Sequence, residues 1–239
     1  MNIDEFKNEV TKLGIIITSE QLNKLEIYCD FLIEYNKHTN LTAIKTKEEI
    51  YLKHFYDSLT LIKAIDLTKE KTLLDIGSGA GFPGMVLKIF FPNLHVYLVD
   101  SNNKKAKFLE ALKDKINVDN IEIINNRIEN ITNKLINSID IVTARAVTNL
   151  PVLLELAIPL VKENKYFVAM KGNAKEELDN SLYAIDFLKC KLIENKEFTL
   201  PIDYSNRSLI VIKKTKKTNV KDIRTYEKII KKPLQKKYK

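Results

Sequence analysis

The residues with the clearest chemical potential form one run, Asp75-Ile76-Gly77-Ser78-Gly79-Ala80-Gly81-Phe82-Pro83-Gly84. Closely spaced glycines let a backbone turn tightly and let a ligand approach the main chain. The run follows an apolar stretch, Thr72 to Ile76, and opens a helical pattern, Gly84 to Phe91, with Pro83 near its first turn. A strand, a loop and a helix in that order are what a nucleotide-binding loop requires. A dinucleotide loop reads Gly-x-Gly-x-x-Gly. Here the glycines fall at Gly77, Gly79 and Gly81, and Phe82 occupies the place of the third. The Gly-Lys-Ser/Thr of a phosphate-cradling Walker loop is absent. An acid two positions before the first glycine, then Gly-x-Gly-x-Gly, favours a nucleoside ligand without a pyrophosphate.

Asp100 closes the next apolar run, His95 to Val99, and stands 19 residues beyond Gly81. A carboxylate there can accept hydrogen bonds from both hydroxyls of a ribose. The competing role is to cap the following helix. Ser101 can supply that cap, which leaves Asp100 for the sugar. Arg127-Ile128-Glu129 follows the third apolar run. An adenine edge offers an amino donor beside an acceptor nitrogen, which a backbone N–H near Ile128 and the Glu129 carboxylate would match. Glu129 reads equally well as an acid in the first turn of a helix. Only four of the 39 basic residues are arginines, at 127, 145, 207 and 224. Where lysine is the default cation, an arginine can mark a position that needs a planar fork. No metal-ligand set surrounds His54, and Cys29 and Cys190 sit in no metal or redox spacing, so no metal is expected.

The elements that must hold these residues alternate after Lys71. Strand-like runs at Thr72–Ile76, His95–Val99, Ile121–Ile124, Asp140–Ala144 and Tyr166–Met170 are separated by helical patterns. Those patterns cover Gly84–Phe91, a Ser101-capped stretch to Lys115, Ile131–Ile136, Leu150–Val161 with a bend at Pro159, and Ala174–Leu188. Such alternation predicts a parallel sheet covered on both faces. The last two runs, Lys191–Thr199 and Ser208–Lys213, have no crossover helix between them and are predicted to pair antiparallel. The first 65 residues read as helices. Asp4 caps a short one bearing Phe6, Val10 and Leu13. A Thr18/Gln21 capping box opens a second, with Leu22, Leu25, Cys29 and Leu32 at helical spacing. A third runs from Thr46 to Ile65 after the connector Asn40–Ile44.

The chain has 239 residues, 45% of them hydrophobic and 29% charged, which fits a globular protein and excludes a disordered one. No apolar run reaches the roughly 18 residues of a membrane span. The best, Leu150–Val161, has 12 and contains Glu155. Met1 to Val10 is acidic and lacks an apolar core, so no signal peptide is expected, and the spacing of Cys29 and Cys190 implies a reduced cytoplasmic setting. The net charge of +8 is concentrated at one end. Residues 213–239 hold 12 basic and two acidic side chains, while the other 212 residues sum to −2. A polycationic tail on a nearly neutral body points to a polyanionic partner, nucleic acid ahead of a solvated tail that only aids solubility, with an acidic membrane surface third.

Six segments occur in order: Asn40-Leu41-Thr42-Ala43-Ile44, His54-Phe55-Tyr56-Asp57-Ser58-Leu59, the Gly77–Gly84 loop, Val99-Asp100-Ser101, Thr143-Ala144-Arg145-Ala146-Val147, and Arg207-Ser208-Leu209-Ile210-Val211. The loop with Asp100 resembles the seven-stranded class of S-adenosylmethionine-dependent methyltransferases. The ordered set resembles the bacterial RsmG (GidB) family of small-subunit ribosomal RNA guanine-N7 methyltransferases, over roughly residues 1–215. The resemblance implies an α/β fold, with a Rossmann-like, mostly parallel sheet and an antiparallel final strand. It implies a helical extension at 1–66, a methyltransferase domain at 67–214 and a basic tail at 215–239. It also implies S-adenosylmethionine as cofactor and small-subunit (16S) ribosomal RNA, or a partly assembled small subunit, as partner. Carried over by position, the family's cofactor contacts fall on Gly77, Phe82, Ile128, Glu129 and Arg145, beside the loop glycines Gly79 and Gly81 and the ribose candidate Asp100. The tail departs from the family pattern: of its Tyr-Pro-Arg segment and Gly-x-Pro turn only Tyr226 remains, followed by the basic Pro233-Leu234.

Guanine N7 suits the residues at hand. It carries an in-plane lone pair and no proton to lose, so an enzyme needs positioning more than a general base. The Asn/Asp-Pro-Pro-aromatic element of exocyclic-amine methyltransferases is absent, and neither cysteine is well placed as a nucleophile for pyrimidine C5. Arg145 ends a strand at the ligand-binding edge, where it could hold the methionine carboxylate, a phosphate or guanine O6, or form a structural salt bridge. Phe82 reads as a neighbour of cofactor or base, or as a core aromatic. Three rival readings stand beside this one. They are a same-fold methyltransferase acting on another RNA position, a protein or a small molecule; an NAD(P)-dependent oxidoreductase, disfavoured by Phe82; and a non-catalytic RNA-binding module.

Overall fold

A computed structural model describes residues 1–235; the last four residues of the basic tail lie outside the described residues. Apolar side chains alternate along each central strand, and the alternation builds the layers. One set (Leu73, Leu98, Ile141, Val168, Val211) faces one core cluster, and the neighbouring set (Leu74, Val99, Val142, Phe167, Ile212) faces the other. Period-two alternation with both faces apolar places helices on both sides of the sheet.

Two helices open the chain, α1 (Ile3–Lys12) and α2 (Ser19–Thr39). Asn2, not Asp4, caps α1, two residues earlier than expected: its side chain accepts from the Glu5 N–H and the Glu5 carboxylate accepts from the Asn2 N–H, a capping box. The Thr18/Gln21 box caps α2 as read. The expected single helix from Thr46 to Ile65 is segmented. It consists of α3 (Lys47–Ile50), a π-helical turn (Tyr51–Tyr56), α4 (Asp57–Leu59) and a 3₁₀ turn (Thr60–Lys63). A π turn inserts a residue into the helical ladder and re-aims the side chains after it. Here these include His54 and, immediately after the turn, Asp57.

Seven strands then follow with their helices. They are β1 (Thr72–Ile76), α5 (Gly84–Phe90), β2 (His95–Asp100), α6 (Asn103–Ile116), β3 (Ile121–Asn125), α7 (Ile128–Leu135), β4 (Ile139–Arg145), α8 (Leu150–Ala157), β5 (Val161–Lys171), α9 (Lys175–Phe187), β6 (Cys190–Thr199) and β7 (Asn206–Lys214). The sheet order is β3-β2-β1-β4-β5-β7-β6. The first five strands pair parallel, and β7 runs antiparallel to both β5 and β6. A last helix, α10 (Tyr226–Lys231), follows.

α8 ends at Ala157 rather than bending on to Val161, because Pro159 cannot continue the helical ladder and Val161 is already paired with Ile139 in the sheet. The carbonyls freed at that end are met by a buried lysine: Lys214 Nζ donates to Ile158 O at 2.8 Å and to Val161 O at 2.7 Å. Lys214 is therefore a structural cation and not part of the solvent-facing tail charge. α7 begins at Ile128, earlier than the periodicity suggested, directly behind Arg127 as its N-cap residue. Among the described residues, no helix is long and apolar enough to cross a membrane.

Candidate functional site

The direction of strand succession reverses between β1 and β4. Open α/β sheets hold ligands at that switch point, outside the carboxyl ends of the strands. A cleft of about 400 Å³ opens there. Gly77, leaving β1, forms part of its wall, with φ at +67°. A Cβ at this position would stand 2.7 Å from Val147 Cγ2, and the left-handed φ would strain any side chain, so only glycine fits here without displacing Val147. The Gly77 and Ser78 N–H groups donate to Val99 O at 2.8 and 3.1 Å, tying the loop to β2.

Asp100 ends β2, lines the cleft and is only 9% exposed. Its Oδ2 accepts from the Gly79 N–H at 2.9 Å and its Oδ1 from the Asn102 N–H at 2.8 Å. Ser101 does not cap α6; Asn102 does, its Oδ1 accepting from the Lys104 N–H at 2.9 Å. Asp100 takes the Asn102 N–H, which turns the chain so that residue 102 becomes the N-cap. Each carboxylate oxygen has two lone pairs, so two backbone bonds leave capacity for a diol. Lys105 Nζ, 3.7 Å from Oδ2, keeps the carboxylate compensated. Ile128 and Glu129 line the same cleft in the first turn of α7, with Glu129 3.6 Å from Arg127.

Four other sequence candidates do not line this cleft. Gly79 contributes through its N–H to Asp100. Gly81, at φ +99°, packs where a Cβ would lie 2.6 Å from Tyr28 Oη and 2.8 Å from Met85 Cβ. Phe82 is 5% exposed and sits in an aromatic stack, 5.4 Å from the Tyr28 ring and 4.1 Å from the His54 ring. Arg145 lies over the Phe82 ring at 5.3 Å and donates to Asp57 Oδ2 at 3.0 Å, Lys53 O at 2.8 Å and His54 Nδ1 at 3.1 Å. The salt-bridge role is therefore the one Arg145 plays here. Asp57 also accepts from Arg207 Nε at 2.8 Å, so one buried carboxylate of the helical extension joins β4 and β7. Burial, reinforced by the Arg145 charge, pushes His54 down to about 3, so the ring is neutral and its Nδ1 accepts from Arg145. Burial raises Asp75 to about 7, against the opposing pull of the Gly84 N–H bonded to its Oδ2 at 2.9 Å. Among the described residues its Oδ1 has no hydrogen-bond partner.

The sequence reading missed Lys105, Val147, Tyr226 and Ile230, all lining the cleft. The last two come from α10, in the segment read for its charge and for its departure from the family pattern, not as part of the site. Their signal was present: Tyr226, Ile229 and Ile230 interrupt a run otherwise dominated by lysine. No group of three or more His, Cys, Asp or Glu side chains among the described residues could hold a metal ion.

Known proteins share this sequence and fold. Ribosomal RNA small subunit methyltransferase G of Bacillus subtilis (strain 168) is 45% identical over 221 residues, covering 91% of this chain and 92% of the relative. The protein of the same name from Bacillus velezensis is 44% identical over the same span. Among solved structures, a SAM-dependent methyltransferase from Aquifex aeolicus superposes with a TM-score of 0.53 at 17% identity, covering 72% of this chain and 97% of that one, a likeness of fold. The sequence profile of GidB, described as rRNA small subunit methyltransferase G, matches residues 21–203, and the chain belongs to that family.

Proposed function

We propose that this protein transfers the methyl group of S-adenosylmethionine to N7 of a guanine in small-subunit ribosomal RNA. The observation that carries the cofactor reading is the convergence of Gly77, Asp100, Ile128 and Glu129 on one cleft at the switch point of the sheet. Its size of about 400 Å³ lies in the range of small-molecule sites, about 300 to 1,000 Å³. Its chemistry also fits: a compensated carboxylate with spare acceptor capacity, a second carboxylate at Glu129, and an apolar wall at Val147, which is 39% exposed. In this reading Asp100 holds the ribose, Ile128 and Glu129 meet the adenine edge, and Gly77 admits the ligand to the main chain. Gly79 and Gly81 shape the loop, while Phe82 and Arg145 brace it from behind.

Bound there, S-adenosylmethionine supplies a methyl carried on a sulfonium, an electrophile awaiting an aligned lone pair. The chain's own residues fit an acceptor that needs no base. His54 is neutral and committed to Arg145. Cys29 and Cys190 are buried, with burial pushing both thiols up to about 12, so neither offers a thiolate for pyrimidine C5 chemistry. Positioning of base and donor is then the main task of the protein.

The partner is ribosomal RNA or a partly assembled small subunit, since proteins read folded RNA through its shape and exposed loops. Lys216, Lys217, Lys221, Lys228, Lys231 and Lys232 are exposed on the described part of the basic tail and can contact phosphates. A cytoplasmic setting, where ribosomes assemble, belongs to this reading. The test is mass-spectrometric mapping of small-subunit RNA from cells with and without the gene. One 7-methylguanosine should vanish in its absence and return on complementation; an unchanged methylation map would overturn the proposal.

A further inference from the structure

The segment after β7 is the most cationic part of the chain, yet residues 220–235 are fastened to the body by apolar and buried polar contacts. Ile229 on α10 is 2% exposed and belongs to the core cluster of Val152 and Leu156 on α8. Glu155 on α8, itself 5% exposed, accepts from Arg224 NH1 at 2.8 Å and from the Leu234 N–H at 3.0 Å. Arg224 NH2 donates to Lys228 O at 3.0 Å and Lys232 O at 2.7 Å, so one guanidinium clasps α10 and the residue after it. A buried carboxylate bonded to both flanks of a six-residue helix fixes that helix in place.

What the clasp fixes is the far side of the cleft. Tyr226 and Ile230 line it together with Ile128 and Glu129, and the Arg127 guanidinium sits 5.6 Å from the centre of the Tyr226 ring. Arg127 therefore braces the ring at the α7 end. Ile230 is 46% exposed and Val147 is 39% exposed, two apolar side chains in the cleft that the protein itself leaves uncovered. An apolar ligand surface would bury them.

We infer that α10 is a wall of the donor site, in which Tyr226 and Ile230 contact the purine of the bound nucleoside. The inference rests on the S-adenosylmethionine reading and deepens it, giving the C-terminal segment a role in cofactor binding apart from its lysines. A purine between the first turn of α7 and the Tyr226 side chain would gain the aromatic contact that proteins commonly give nucleobases.

The test is calorimetric titration of the full-length protein and its variants with S-adenosylhomocysteine, and then with adenosine. Tyr226→Ala should raise the dissociation constant for both ligands about tenfold, as loss of a base–aromatic contact does. Tyr226→Phe should restore wild-type affinity, because the ring and not the hydroxyl makes the contact. Ile230→Ser, at an exposed position that folding does not depend on, should weaken both ligands severalfold. In steady state, Tyr226→Ala should raise KM for S-adenosylmethionine while kcat at saturation holds. Wild-type affinity in both Tyr226→Ala and Ile230→Ser would overturn the inference. A wild-type protein that binds neither ligand would instead overturn the cofactor reading beneath it.

Discussion

Asp100 ties the glycine loop to the start of α6 and, in the proposed function, holds the ribose, so its removal separates two effects that the structure makes countable. In the free protein its carboxylate accepts two backbone N–H bonds, from Gly79 and Asn102. A hydrogen bond to a charged partner contributes about 1.5–3 kcal/mol, and these amides are partly open to water, so Asp100→Ala should cost about 2–3 kcal/mol of stability. Loss of two ribose hydroxyl contacts would cost a further 3 kcal/mol or so of binding, about a hundredfold in dissociation constant. Urea unfolding reads the first quantity and calorimetry with S-adenosylhomocysteine the second. A disordered loop could weaken binding without any sugar contact, so the decisive comparison is adenosine against 2′-deoxyadenosine. Wild type should prefer adenosine by about tenfold, and Asp100→Ala should bind the two alike. Equal preference in both proteins, with stability lowered as expected, would leave Asp100 a loop-former and refute the ribose assignment.

Three further expectations concern the supports of the site. Asp57→Ala leaves Arg145 and Arg207 facing one another without their shared carboxylate, and should cost about 3–5 kcal/mol in urea unfolding; a loss below about 1 kcal/mol would contradict the bridging role. Asp75 is raised from 3.8 to about 7, so the folded state binds its proton more tightly than the unfolded state between those values. Its contribution is fully present below about pH 4 and is lost as pH rises through 7. His54 titrates in the opposite sense and is common to both proteins, so wild type should lose about 4 kcal/mol relative to Asp75→Asn across this window. A pH-independent difference would show Asp75 charged throughout. Replacing Lys216, Lys217, Lys221 and Lys228 together by glutamine should lower the slope of log K against log salt for RNA binding by about 3, at 0.7–0.9 per phosphate contact. An unchanged slope would make these lysines solubilising only.

Legibility followed the range of the forces involved. The β1 strand, the glycine loop and the antiparallel last pair were readable because their signals are local: alternation, small residues in a tight turn, and too short a link for a crossover. The caps at Asn2 and Asn102 were misread by one or two residues because adjacent side chains compete for the same N–H groups, and only the turn geometry decides between them. The π turn over Tyr51–Tyr56 carries no periodic signature, so the meeting of Asp57 with Arg145 and Arg207 was hidden. Arginine scarcity was the better clue. Arg145, Arg207 and Arg224 are each bonded to a buried carboxylate, and Arg127 lies over an aromatic ring. The tail was read for its charge and for its family pattern, although Ile229 and its contacts with α8 decide where that charge is carried.

The most direct test of the central claim is methyl transfer itself. Purified protein, S-adenosylmethionine labelled in its methyl group, and small-subunit particles from cells lacking the gene should yield labelled RNA. Digestion should then return the label as 7-methylguanosine from a single position, with the initial rate lowered about a hundredfold when the Asp100→Ala variant is used below its raised KM. Label in another nucleoside, in protein, or in no product at all would contradict the account.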